Sequence, residues 1–109
     1  MKPRFLLDEH VNRAIQRQLR RLDPDAPPAG TSDPDILLWI EKSSYILVTE
    51  NRSTIPGHLA EHIAAGRHIP GIFWIRPHAS LHSIIEELYL IWAASTADEY
   101  EGRTLFIPL

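Results

Sequence analysis

Short uninterrupted apolar runs recur along the chain, separated by stretches of helical period. Phe5, Leu6 and Leu7 form the first run, YILVT (residues 45–49) the second and GIFWIR (71–76) the third. Apolar runs of this length without polar alternation predict strands covered on both faces. They predict strands over 4–9, 45–49 and 71–76, and the β-forming TLFI at 104–107 predicts a last one, with Pro108 placing it at an edge or terminus. Between them lie four helical patterns. Val11, Ile15, Leu19 and Leu22 share one face of a helix over 11–22, with Asn12 as its cap and Arg13, Arg17, Arg20 and Arg21 turned away. Residues 34–43 bury Ile36, Leu37, Trp39 and Ile40. Residues 56–65 start at Pro56–Gly57 and stop at Gly66. Residues 81–97 carry Leu81, Ile84, Ile85, Leu88, Ile91 and Trp92 as a stripe. The proline-rich segment 23–35 is a loop, closing on Ser32 or Asp33 as a helix cap and Pro34 in the first turn.

Strands alternating with helices predict an α/β domain: a mostly parallel sheet of about four strands with helices on both faces and right-handed crossovers. The 109 residues allow one domain, 1–109, with a modest core. The chain has no cysteine, which excludes disulfides and thiolate metal sites. The opening MKPRFLLDEH has too short an apolar run for a secretory leader, and no segment approaches the roughly 20 apolar residues of a membrane span. A cytoplasmic protein is expected. A formal net charge of −3 argues against a general nucleic-acid coat, yet the arginines of residues 1–22 form a local basic strip.

Functional groups in open α/β sheets collect beyond the carboxyl ends of the strands. Two of the strands end in polar pairs, Asp8–Glu9 and Glu50–Asn51, and Asp33 and Asp35 stand at a helix start. Converging carboxylates suit hard cations such as Mg²⁺ or Mn²⁺, which polarise a phosphodiester and generate hydroxide at neutral pH. The same acids also serve as ordinary caps and solvated loop residues.

The succession LLDEH, SDPDILLW, ILVTEN, PGIFWI and GRTLFIPL resembles the small single-domain branch of PIN-like proteins, over nearly the whole chain. The resemblance implies a three-layer PIN-like fold and, in active relatives, RNA cleavage dependent on Mg²⁺ or Mn²⁺, often by a toxin paired with an antitoxin protein. It carries the first acidic ligand onto Asp8, the acid before the helix-opening proline onto Asp33, and a small hydroxyl residue, expected to contact substrate, onto Thr49. Glu9 would support this site. The family expects an aspartate where this chain has Asn51, which keeps a carbonyl ligand but removes a charge. Glu50 is adjacent, but strand neighbours face opposite ways, so it joins the metal set only if the chain has already turned. The family also has a strand where this chain has DPDAPPAGT. Loss of that strand would bare an edge beside FLLDE, to be covered by a loop or by a second copy in a homo-oligomer. Two readings follow: a metal-dependent ribonuclease acting through Asp8, Asp33, Asn51 and Glu9, or a degenerate copy that serves as a non-enzymatic interaction module.

Other constellations compete. His58, Glu61 and His62 spell H-x-x-E-H, which on a helix brings two histidines together for Zn²⁺, with Glu86 or Glu87 as a further ligand. A polar helix face is the plainer account. His78 and His82 repeat the spacing, and His68 has no evident partner. Arg13 and His10, nearest the acidic site, are candidates to contact a substrate phosphate. The three tryptophans fall in apolar runs and read as core. Ser32, Ser53 and Thr54 lack the context of a covalent nucleophile.

Overall fold

A computed structural model describes residues 1–8, 11, 27–28 and 30–108. Within them the chain runs β1 (Phe5–Leu7), α1 (Asp33–Ser43), β2 (Ile46–Thr49), α2 (Ile55–Ala64), β3 (Ile72–Ile75), α3 (Leu81–Ala94), a 3₁₀ turn (Ala97–Tyr100) and β4 (Thr104–Ile107). The four strands form one parallel sheet in the order β1-β2-β3-β4. The expected α/β architecture is present. The helix expected over 11–22, with Arg13, lies outside the described residues apart from Val11, as do Glu9, His10 and most of the segment thought to lack a strand.

Strand parity sorts the core into two layers. Leu6, Leu47, Ile72 and Trp74 face α1 and α2, where Leu37, Ile40 and Ile55 meet them. Ile46, Val48, Phe73, Ile75 and Ile107 face α3, against Ile84, Leu88 and Ile91. Both faces of β2 and β3 are therefore covered, which is why these strands read as unbroken apolar runs. Trp74 is core, whereas Trp39 and Trp92 are half-buried at its margins.

β2, β3 and β4 succeed one another in a single direction, yet α2 and α3 lie on opposite faces. The two crossovers consequently have opposite hands, so the expectation of uniformly right-handed connections fails at one of them. The last helix also ends earlier than the expected range of 81–97. It stops at Ala94, and Thr96 with Glu99 then forms a capping box that opens the 3₁₀ turn. That turn lays Tyr100 edge-on against Phe73, its ring centroid 5.2 Å away. Its backbone passes so close to Gly71 that an added Cβ would lie 3.1 Å from the Tyr100 carbonyl oxygen, so this position demands glycine.

The start of α1 follows the predicted chemistry. The Ser32 hydroxyl accepts from the Asp35 amide at 3.4 Å, Pro34 sits in the first turn, and Asp33 and Asp35 place negative charge at the positive end of the helix dipole. α1 ends at Ser44, whose left-handed backbone (φ 60°) turns the chain into β2.

Candidate functional site

Ladder geometry brings the first two candidates together. Leu7 pairs with Val48, and the Asp8 amide donates to the Val48 carbonyl at 3.0 Å, extending the ladder by one step. Asp8 and Thr49 share the parity of Leu6 and Leu47, so both side chains fall on the α1/α2 face. The Thr49 hydroxyl donates to Asp8 Oδ2 at 2.7 Å. Asp8 is 8% exposed and Thr49 is fully buried. A carboxylate this enclosed needs such a donor, because an unsatisfied buried acceptor costs about 1–3 kcal/mol.

The network continues across the rim. The Asn51 amide nitrogen donates to the Thr49 hydroxyl at 3.0 Å. The Asn51 side-chain carbonyl accepts from the Ser53 amide, the Ser53 hydroxyl and the Thr54 amide at 3.0–3.2 Å. Its amide group donates to the Thr54 hydroxyl, which donates in turn to Asp33 Oδ2 at 2.7 Å. His58 Nε2 lies 3.9 Å from the same Asp33 oxygen. One continuous chain of contacts thus joins Asp8 to Asp33 through Thr49, Asn51 and Thr54. Its donors are almost all neutral.

Each sequence candidate among the described residues has a place. Asp8 and Asp33 belong to one network. Asn51 belongs to it as well, but its carbonyl is fully engaged in shaping its own loop. Thr49 supports Asp8 from within the core; with no exposed surface, it does not meet a substrate as expected. Glu50 has the opposite parity and lies exposed in a separate groove with Arg76 and His78, away from the carboxylate pair. Asp35 is exposed in the first turn of α1. Glu9, His10 and Arg13 lie outside the described residues. Sequence reasoning missed Thr54, which touches Asp33 directly. Its signal was the TEN-R-S-T run itself, in which an asparagine caps hydroxyl residues two and three positions on.

The H-x-x-E-H pattern is not a zinc pair. His58 turns to Asp33, whereas His62 is buried with Nε2 2.9 Å from both the His68 carbonyl oxygen and Glu41 Oε1. A single N–H cannot align with both, so the Glu41 contact is chiefly electrostatic. Glu41 also lies 3.8 Å from Arg67 and from His68, and His68 reaches Glu101 at 2.9 Å. All these residues precede strands β2, β3 or β4, so this cluster marks the amino rim of the sheet.

Asp8 and Asp33 offer hard oxygen donors, the kind that Mg²⁺ and Mn²⁺ take. Mg²⁺ is commonly held by one or two carboxylates, with waters and phosphates completing the shell. Among the described residues no group of three or more histidine or acidic side chains is placed to hold an ion. The pair fits the sparser mode in donor type. No helix among the described residues is long and apolar enough to cross a membrane. Comparisons with protein-family models, curated proteins and solved structures gave no match.

Proposed function

We propose that the chain is a PIN-like ribonuclease dependent on Mg²⁺ or Mn²⁺, with Asp8 and Asp33 as its metal-holding carboxylates. The observation that carries this reading is the hydrogen-bonded path from Asp8 through Thr49, Asn51 and Thr54 to Asp33 at the carboxyl rim. Three neutral side chains spent on orienting two acids from distant segments are more than a loop cap needs. A divalent cation held there would polarise a phosphodiester and lower the pKa of an attacking water. Thr49 holds the Asp8 carboxylate in one orientation. Thr54 does the same for Asp33, leaving the other oxygen of each free of any described hydrogen bond. His58, beside Asp33, is placed to hold or release a proton at Nε2. A toxin role with a partner antitoxin, and a cytoplasmic setting, belong to this reading.

Incubation of single-stranded RNA with the protein tests it. Cleavage should require Mn²⁺ or Mg²⁺ and fall at least about 100-fold in Asp8→Asn and in Asp33→Asn, as for loss of a principal charge-stabilising group. Cleavage that survives either substitution contradicts it.

A specific observation favours a second reading. The Asn51 carbonyl is taken up by three donors of its own loop, and it is neutral where the family has a charged ligand. On this reading the chain is a non-enzymatic module that pairs through the edge of β1, as a homo-oligomer. Wild-type protein that cuts no RNA with either metal, and that runs as a dimer or larger by light scattering, would favour it.

A further inference from the structure

The carboxyl rim holds a second feature that the carboxylate network does not use. A groove of about 280 Å³ lies at the ends of β2 and β3, lined by Glu50, Arg52, Arg76 and His78 among others. The Arg52 and Arg76 guanidinium groups both lie over the Phe106 ring, 5.5 and 5.3 Å from its centroid. Phe106 is itself exposed, because α1 and α2 do not extend over β4 on that face. Arg76 Nε donates to the Pro108 carbonyl at 2.8 Å, which fixes the plane of its guanidinium and leaves the terminal nitrogens as donors. Among the described residues neither arginine has a carboxylate partner; Glu50 lines the same groove without an ion pair to either. Two like charges gathered on one ring repel each other, and an anion between them would remove that cost. His78 adds a third donor from a left-handed backbone (φ 64°), a conformation that non-glycine residues seldom adopt and that collects at binding loops.

We infer that this groove binds the phosphate group of a nucleotide-sized phosphate ester through Arg52, Arg76 and His78. Planar guanidinium forks match phosphate oxygens two at a time, and the volume is near the lower bound for a small-ligand pocket. Arg52 directly follows Asn51, so a phosphate seated here lies on the same rim as Asp8 and Asp33. The inference deepens the ribonuclease reading, and rests on it for the course of a bound strand beyond the groove; the binding itself needs neither carboxylate. Two sources share this chemistry, a free mononucleotide and the backbone of single-stranded RNA.

Fluorescence anisotropy of a labelled ten-nucleotide RNA, in EDTA at low salt, tests the inference, with unlabelled AMP as competitor. Arg52→Gln and Arg76→Gln should each weaken RNA binding roughly ten-fold. Each should also lower the slope of log affinity against log salt by about 0.7. Arg52→Lys and Arg76→Lys keep the charge and should retain more of the affinity, which guards against loss of fold in the glutamine variants. Arginine-dependent competition by AMP as strong as by RNA assigns the groove to a nucleotide, and much tighter RNA binding assigns it to a strand. Unchanged affinity in both glutamine variants, or no binding of either ligand by wild type, overturns the inference. Arginine-dependent binding without cleavage would sink only the ribonuclease reading. Cleavage with arginine-independent binding would sink only this one.

Discussion

The two rims of the sheet handle charge in opposite ways. At the amino rim Glu41 faces His62, His68 and Arg67, and Glu101 faces His68, so carboxylates stand against cationic or titratable partners. At the carboxyl rim, among the described residues, Asp8 is held by a neutral hydroxyl, Asp33 by another with one histidine 3.9 Å off, and Arg52 and Arg76 meet an aromatic ring and, for Arg76, the Pro108 carbonyl, with no carboxylate against either. A cluster that balances itself has its work inside the fold. A rim that, among the described residues, leaves charges of both signs without opposite partners keeps them for something that arrives. The comparison separates the residues that hold the molecule together from those free to act.

Substitutions that exploit this contrast should divide cleanly. The largest loss of stability is expected from His62→Ala. It empties a buried site, orphans the His68 carbonyl and removes the closest partner of Glu41, costing about 2–4 kcal/mol in urea unfolding while RNA binding per folded molecule stays unchanged. A loss under about 0.5 kcal/mol, the scale of an ordinary surface change, would erase the contrast. Thr49→Val comes next. It leaves the Asp8 carboxylate buried without its donor and should cost about 1–3 kcal/mol, with Thr49→Ser restoring most of it. A valine variant as stable as wild type would mean that Asp8 needs no orienting hydroxyl.

Asn51→Asp sharpens the comparison at the acting rim. It adds a charge beside Asp8 and Asp33 but gives up the amide that donates to Thr54. Stability should fall by about 1 kcal/mol, and Mn²⁺ affinity should rise, read by calorimetry. Unchanged or weaker Mn²⁺ binding would place the metal elsewhere. Arg52→Gln should be nearly silent in stability, within about 0.5 kcal/mol, because the side chain is exposed and, among the described residues, pairs with no carboxylate.

The smallest effect belongs to Asp98 in the 3₁₀ turn. A hydrogen bond from the Thr96 side chain holds its carboxyl below the usual carboxylate range. A depressed folded pKa contributes stability that is present above the unfolded value and is lost as pH falls through the folded one. Asp98→Asn should therefore lower stability slightly at neutral pH and leave it unchanged in strong acid, where the aspartate is itself protonated. An NMR titration placing Asp98 at the ordinary carboxylate midpoint would contradict this.

Much of this was legible before any coordinates. Unbroken apolar runs gave β2 and β3 as doubly covered strands, and Ser32 with Pro34 marked the start of α1. Parity alone separated Glu50 from Asn51. The residues that escaped did so for a common reason: their neighbours are set by packing between elements. His58 and His62 share a helix face at i and i+4, yet Asp33 draws one and the Glu41–His68 pocket the other. Arg52, Arg76 and Phe106 meet only because β3 and β4 pair in a given register, and because α1 and α2 stop short of β4. Thr54 lies in a run of polar residues after β2, but its reach to Asp33 depends on how α1 and α2 pack.

The central claim is that Asp8 and Asp33 act as one carboxylate pair at the carboxyl rim. Thermal unfolding followed during a Mn²⁺ titration tests it most directly, with Asp8→Asn and Asp33→Asn alongside. At a hundred-fold excess over Kd, bound metal stabilises the native state by about 2.7 kcal/mol, a rise in Tm on the order of 10 °C for a domain of this size. The account predicts that rise in wild type and its loss in both variants. An equal response in all three proteins, or a loss in only one variant, would contradict it.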